Sequence, residues 1–415
     1  MRNVYLDNQS ATRMDERVLE EMLPFLREFY GNPQNLHSLG GRSKEALEKA
    51  RGQVAALIGA GENEIYFTSC GSESNNLAIK GVAEAYKQKG RHLVLSGIEH
   101  FSVLNAARRL EQAGFRTTLV PVDRQGLISP GEVEKALTDE TILVSIQHAN
   151  PEIGTIQPLE EIAGVVRKRG VLFHTDAVCT AGTLPVDVKR LGVDLLTLAP
   201  LQFYGPRGTA ALYLRKGVRV IPQIDGGIQE DGRRAGTENL PGIVGMGKAC
   251  EIAQKEMGEN ARKMLPLRDR LVSELPRRIE HLYLNGHPER RLPGNVNFSV
   301  EFVEGEGMLL LLDMLGIAVT SGSACTSRAL KASHVISAIG VDAAVAQGSV
   351  LMSLSRETSA EDIDYVLDQF PPIVKKLRDM SPLYAYFLKT GKRQEAGPGT
   401  DYEHHHDHGE DAKEE

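Results

Sequence analysis

Cys325 lies in "SGSACTS" (321–327), among residues too small and too polar to look like core. A cysteine in such a loop can reach solvent and act as a nucleophile; the plainer alternative is a small side chain filling space. Asp176 closes the apolar run "VLFHTDA" (171–177), at the carboxyl end of a strand-like segment, where α/β sheets collect their ligands. A carboxylate there can hold a heterocycle's nitrogen protonated, cap a helix or ligate a metal, and the residue alone does not choose. In "FTSCGSESNN" (67–76), Gly71, Ser72 and the neighbouring backbone N–H groups fall at a strand-to-helix turn. Such a turn can cradle a phosphate, but on its own it is better read as an ordinary capped helix. Arg356, in "LMSLSRET", follows a strand-like run and suits either a two-point grip on a carboxylate or a surface ion pair.

These residues need a frame. Short apolar runs at 64–69, 92–97, 116–122, 141–147, 171–177, 194–199 and 209–215 alternate with helical patterns at 41–59, 74–90, 101–113 and 158–169. That alternation, with buried β-branched strands, predicts an α/β fold with a mainly parallel sheet covered by helices on both faces. A long helix over 243–277 then leads into strands at "LYLNG", "NVNFSV" and "VLMSLS", with helices over 305–315 and 360–378. The expected division is a large domain over 15–257, a smaller α+β domain built from 1–14 and 258–388, and a disordered tail over 389–415, rich in His and acidic residues.

Bulk properties narrow the function classes. A chain of 415 residues exceeds what one core usually supports, and 41% hydrophobic with 25% charged residues is an ordinary globular balance. A net charge of −7 argues against a nucleic-acid or membrane surface. There is no apolar run of spanning length and no signal-peptide pattern in "MRNVYLDNQSATR", and the four cysteines have no paired spacing. The expected location is the cytoplasm.

Taken together, the motifs resemble the cysteine desulfurases, the NifS/IscS-type branch of the class V aminotransferases. The likeness runs over about 3–385 through "VYLDNQSATR", "GNPQNLHSLG", "FTSCGSESNNLAIKG", "IEHFSVL", "QHANPEIGTIQP", "HTDAVCTAG", "FYGPRG", "GRRAGTENLPGIVG" and "SGSAC", in the family's order. The resemblance implies the type I fold of pyridoxal-phosphate (PLP) enzymes, with a seven-stranded sheet in the large domain and a homodimer with active sites at the subunit interface. It implies that His100 stacks on the cofactor ring and Asp176 holds the ring nitrogen protonated. Asn150 and Arg356 would hold the carboxylate of L-cysteine, Gly71 and Ser72 would bind the phosphate, and Thr237 would reach the phosphate in the neighbouring subunit. Cys325 would attack the substrate sulfur and carry the persulfide to an iron–sulfur scaffold or other sulfur acceptor.

One stretch departs from the family. Where a Ser-Ala-His-Lys or Ser-Gly-His-Lys run is usual, this chain has "APLQ": Ala199 and Leu201 replace phosphate-binding Ser and His, and Gln202 replaces the Schiff-base lysine. A glutamine amide neither condenses with an aldehyde nor shuttles protons near neutral pH, which argues against conventional PLP catalysis. Cys179 stands where a glutamine usually meets the cofactor's phenolic oxygen, and Cys70 where the phosphate loop usually has glycine. The expectation is therefore a sulfur-mobilising protein with PLP held non-covalently. The alternative is a non-catalytic dimeric scaffold or a metal- or Fe–S-binding protein, using Cys325 or a pocket bordered by Cys70, Cys179 and His100.

Overall fold

The structure, a computed structural model, describes residues 2–322 and 333–393. Its first part comprises β1 (Val4–Tyr5), α1 (Glu16–Arg27), α2 (Ser38–Ile58), β2 (Ile65–Thr68), α3 (Gly71–Tyr86), β3 (His92–Ser96) and α4 (Phe101–Glu111). There follow β4 (Arg116–Val120), α5 (Pro130–Ala136), β5 (Thr141–Ser145), α6 (Leu159–Lys168), β6 (Leu172–Asp176), α7 (Val188–Leu191), β7 (Leu195–Leu198) and β8 (Ala210–Leu214). The remainder is α8 (Leu240–Arg278), β9 (Leu282–Leu284), β10 (Asn295–Val300), α9 (Gly305–Met314), β11 (Ile317–Ala318), α10 (His334–Ala338), α11 (Ala343–Ala346), β12 (Ser349–Ser353), α12 (Ala360–Asp379) and α13 (Pro382–Thr390).

Seven strands form one sheet in the order β2-β8-β7-β6-β5-β3-β4. Pairings from β4 through β7 are parallel, and β8 runs antiparallel to both its neighbours. The central strands are apolar on both faces because helices cover both: Val94, Val144 and Leu196 join one core, while Leu93, Leu143 and Leu195 join the other. A second sheet, β12-β10-β9, is antiparallel and packs with α9 and α12 around Phe298, Met352, Leu312 and Phe370. Helix α8 serves both bodies: Met257 packs against the first core and Met264 belongs to the second.

Helix α3 begins at Gly71, earlier than the apolar pattern from 74 indicates, because Cys70 in extended conformation starts the helix directly off β2. A Cβ at Gly71 would lie 2.9 Å from Val178 Cγ2, so the first turn sits tightly against the end of β6. Helix α13 was not anticipated. It buries none of its residues fully, so no apolar stripe marks it, yet Phe387 docks against the rings of His281 and Phe302 at 5.1 and 4.9 Å. It extends past residue 389 into the stretch expected to be disordered; residues 394–415 lie outside the described residues.

A buried ion pair fixes the loop after β8. Arg51 on α2 donates to both carboxylate oxygens of Glu230 at 2.8 and 2.9 Å and to the Ile65 carbonyl at 2.8 Å. Glu230 also accepts the Phe67 N–H at 2.8 Å, which spans the gap to β2. Glu230 and Asp231 adopt positive φ (48° and 53°), a conformation that side-chain-bearing residues hold only when their surroundings impose it.

Candidate functional site

The carboxyl ends of β2, β3, β5, β6 and β7 bring the candidate residues to one edge of the sheet. Asp176, the last residue of β6, is half-buried; its Oδ1 accepts the Val178 N–H at 3.0 Å and its Oδ2 accepts from Asn75 Nδ2 at 2.7 Å. The same Asn75 nitrogen reaches Ser102 Oγ at 2.8 Å, and Ser102 Oγ lies 2.7 Å from His100 Nδ1. The His100 ring caps α4, with Nδ1 accepting the Ser102 N–H at 3.1 Å. Nδ1 is thus the unprotonated nitrogen, and Nε2 on the exposed side carries the hydrogen. The chain Asp176–Asn75–Ser102–His100 locks the two ring-contacting candidates in one orientation.

Glu99, beside His100, is fully buried; its Oε1 accepts the Gln147 N–H at 2.6 Å and its Oε2 has no hydrogen-bond partner among the described residues. Burial first, and then the Asp176 charge, push its carboxyl well above the ordinary range.

At the other end of the edge, α3 presents its first turn without a capping side chain, leaving its N–H groups free for an anion. Gly71 and the exposed Ser72 are there. Glu73 in the same turn accepts from Arg234 Nε at 2.9 Å and so ties this turn to the segment bearing the exposed Thr237.

Two residues expected to hold a substrate carboxylate are engaged elsewhere. Asn150 is 1% exposed; its Oδ1 accepts the Glu152 and Ile153 N–H groups at 2.9 and 3.0 Å, and its Nδ2 donates to the Ile98 carbonyl at 3.0 Å. Its amide braces its own loop and keeps one N–H at most for a ligand. Arg356 pairs with Asp15 at 2.6 Å and Glu256 at 3.5 Å, and its guanidinium lies 3.9 Å from the centre of the Tyr204 ring. Arg17 first, and Arg356 with it, hold the Asp15 carboxyl well below the usual range, so an arriving carboxylate would compete with a firmly ionised one.

Gln202 ends a single 3₁₀ turn, Pro200–Gln202, and is folded inward. Its Nε2 donates to the Gln9 carbonyl at 3.3 Å, while its Oε1 and the Gln9 Nε2 are buried with no hydrogen-bond partner among the described residues. Gln9, Cys179 and Gln202 line a partly open cavity of about 50 Å³. Burial first, and then the Asp176 charge, push the Cys179 thiol far up, so it stays protonated. Cys70 is exposed at the start of α3. Among the described residues no three His, Cys, Asp or Glu side chains converge as metal ligands; of the two thiols expected there, that of Cys70 is exposed and that of Cys179 half-buried. Cys325 lies outside the described residues.

The geometry fits PLP at two ends and fails at a third. Asp176 and His100 suit a pyridine ring, and the uncapped α3 N-terminus suits a phosphate. A residue able to bond the aldehyde is missing, because Gln202 is turned away and is the wrong chemistry. Sequence reasoning did not find Asn75, Ser102, Glu99 or Asp15; only the adjacency of Glu99 to His100 in "IEH" gave any signal.

The comparisons agree on the family. The class-V aminotransferase model matches residues 4–366. The cysteine desulfurase IscS of Methanosarcina thermophila is 50% identical over 380 residues, covering 92% of this chain and 94% of that one. Among solved structures, a NifS-like protein superposes with a TM-score of 0.85 at 40% identity, over 91% of this chain and all (100%) of the other. Another, SspA in complex with cysteine, gives 0.75 at 34% identity, over 86% of this chain and 100% of that one. The chain belongs to the class-V aminotransferases and, within them, to the NifS/IscS-type cysteine desulfurases. Its fold is the type I fold of PLP-dependent enzymes, and PLP is the cofactor of its family. Nothing in these likenesses supports the non-catalytic scaffold reading.

Timed alkylation of the native protein is expected to leave Cys250 for last. Cys250 is fully buried in α8 and burial pushes its thiol far up, so it presents neither access nor thiolate. Cys70 is the exposed comparison, and peptide mass spectrometry reads both. Early labelling of Cys250 would contradict the packing of α8 against α2.

Proposed function

We propose that this protein mobilises sulfur from L-cysteine for iron–sulfur cluster assembly, with Cys325 as the sulfur carrier and PLP held without a covalent link to the chain. In the overall reaction the C–S bond of cysteine breaks, its sulfur joins the Cys325 sulfur as a persulfide, and the carbon takes up a proton to leave alanine. PLP, when bound, supplies an electron sink for the substrate. The rest falls to the protein. Asp176 would keep a proton on the ring nitrogen, His100, with its orientation set by Ser102, would meet the ring, and the first turn of α3 would receive the phosphate.

The observation that carries this reading is the Asp176–Asn75–Ser102–His100 chain. It fixes two ring-binding groups while the covalent anchor is missing. A scaffold would gain nothing from orienting an exposed imidazole toward an open edge. Without lysine, the acid–base assistance that a positioned side chain provides is lost, about 10²–10⁴-fold in rate. The names of its relatives support L-cysteine as substrate and a sulfur acceptor as partner. Exposed Tyr30, Leu36 and Ile228 support a homodimer, and the free thiols of Cys70, Cys179 and Cys250 support a reducing compartment such as the cytoplasm. The test follows labelled sulfur from L-cysteine to an acceptor protein in the presence of PLP. Transfer is expected in the parent and is expected to vanish in Cys325→Ser; equal transfer in both would overturn the assignment.

A further inference from the structure

Tyr204 follows the Pro200–Gln202 turn and has φ 65°, in the left-handed region that glycine or asparagine takes at little cost and a tyrosine does not. Its neighbours hold it there. Its N–H donates to Thr12 Oγ1 at 2.9 Å, and its carbonyl accepts the Asp15 N–H at 2.9 Å. Thr12 is fastened to the same turn, donating to the Leu201 carbonyl through Oγ1 at 2.8 Å and through its N–H at 3.1 Å. Gly205, next in the chain, leaves no slack: a Cβ there would lie 2.3 Å from Pro200 Cβ. An aromatic residue thus stands where the backbone favours a small one, and strain of that kind points to a use for the side chain.

That side chain holds Arg356 in two ways. Tyr204 Oη accepts the Arg356 N–H at 2.9 Å, and the guanidinium carbon lies 3.9 Å from the centre of the Tyr204 ring. Arg356 comes just after β12 of the second sheet, whereas Tyr204 lies between β7 and β8 of the first, so the contact joins the two sheets' bodies. The Arg356 side chain is 18% exposed, and among the described residues its guanidinium makes a single hydrogen bond, from Nη2 to Asp15 Oδ2 at 2.6 Å. Glu256 stands 3.5 Å from Nη1, and Nε has no hydrogen-bond partner among the described residues. Asp15 is fixed in turn by Arg17, whose Nε and Nη2 donate to it at 3.0 and 2.8 Å. A guanidinium laid on a ring is fixed by its face, which keeps its edge donors for a planar anion. Packing alone asks for neither a hydroxyl on the Arg356 N–H nor a ring against its guanidinium.

We propose that Tyr204 is a positioning residue for substrate binding: its ring and hydroxyl hold Arg356 so that the guanidinium meets the carboxylate of L-cysteine in one fixed orientation. This rests on L-cysteine as the substrate, but the first test needs neither PLP nor turnover. The full-length protein is treated with phenylglyoxal, which adds to accessible guanidinium groups, and labelling of Arg356 is read by peptide mass spectrometry against exposed Arg124 and buried Arg51. Tyr204→Gly takes the same φ without strain while removing ring and hydroxyl, and is expected to raise the Arg356-to-Arg124 ratio about tenfold, the effect of one desolvated cation–ring contact. Tyr204→Phe keeps the ring and is expected to stay within about twofold of the parent, the share of one neutral hydrogen bond. Arg51 is expected to stay unlabelled throughout. An unchanged Arg356 ratio in Tyr204→Gly, or Arg51 labelling that rises with it, would overturn the proposal. Should Tyr204→Gly fail to fold, Tyr204→Asn, which tolerates the same φ, carries the test. The second test is sulfur transfer with PLP and L-cysteine. Tyr204→Gly is expected to raise KM about tenfold with kcat within about twofold, because Arg356 serves binding rather than the chemical step, and Tyr204→Phe is expected to bring KM back near the parent. A loss confined to kcat would overturn the proposal. If the parent transfers no sulfur at all, the functional reading fails, while the phenylglyoxal ratio still reports on Tyr204.

Discussion

Reduced with borohydride in the presence of PLP, the protein is expected to gain no pyridoxyl group at intact-mass resolution. Covalent capture needs an amine whose lone pair is available to the aldehyde, and at the family's lysine position this chain has Gln202, whose nitrogen is delocalised and donates to the Gln9 carbonyl at 3.3 Å. Gln202→Lys is expected to restore capture only in part. Ala199 is buried and Leu201 half-buried where phosphate-binding Ser and His are usual in the family, and two hydrogen bonds to a charged group are worth about 1.5–3 kcal/mol each. PLP affinity in Gln202→Lys should therefore stay about 10²-fold or more below that of a lysine-bearing relative. Cys179 and Gln9 also occupy the space behind the new side chain, around a cavity of only about 50 Å³. A stoichiometric adduct on any lysine of the parent, or tight binding with family-like turnover in Gln202→Lys, would contradict this account of the pocket.

Glu230→Ala is expected to be the most damaging single change to stability. It leaves the Arg51 guanidinium buried with the Ile65 carbonyl but without its carboxylate, and it strips the Phe67 N–H of its acceptor. Breaking a buried pair by removing one partner typically costs about 3–5 kcal/mol. The two positive-φ residues, Glu230 and Asp231, would also lose the contact that holds them. Urea unfolding gives the measurement. A midpoint within error of the parent would mean that the pair is no better than the solvent it displaced. The lesion also reaches the site, because the loop leads to Arg234, which grips Glu73 in the first turn of α3.

Period and punctuation made most of the fold legible. The seven central strands are short apolar runs with turns between them, and the parallel order of β3 to β7 follows from the helices that separate them. The site was legible where chemistry sits at a strand end, as with Asp176, or in a local motif, as with His100 and the α3 turn. It was illegible where a contact joins distant residues. Asn75 meets both Asp176 and Ser102 only because α3 and α4 pack side by side on the sheet. Arg356 reads as an open clamp until Asp15, 341 positions away, is found on it. Asn150 reads as a ligand, but its amide is turned onto its own loop. Helix α13 escaped because its hold on the body is a cluster of rings rather than a stripe.

The most direct test of the central claim is the mass of the Cys325 peptide after the protein has been incubated with PLP and L-cysteine, digested under non-reducing conditions and compared with a sample lacking PLP. The account predicts one added sulfur on Cys325, formed only when PLP is present, with alanine appearing in equal amount and no pyridoxyl group on the chain. An unmodified Cys325 peptide alongside intact L-cysteine would contradict it.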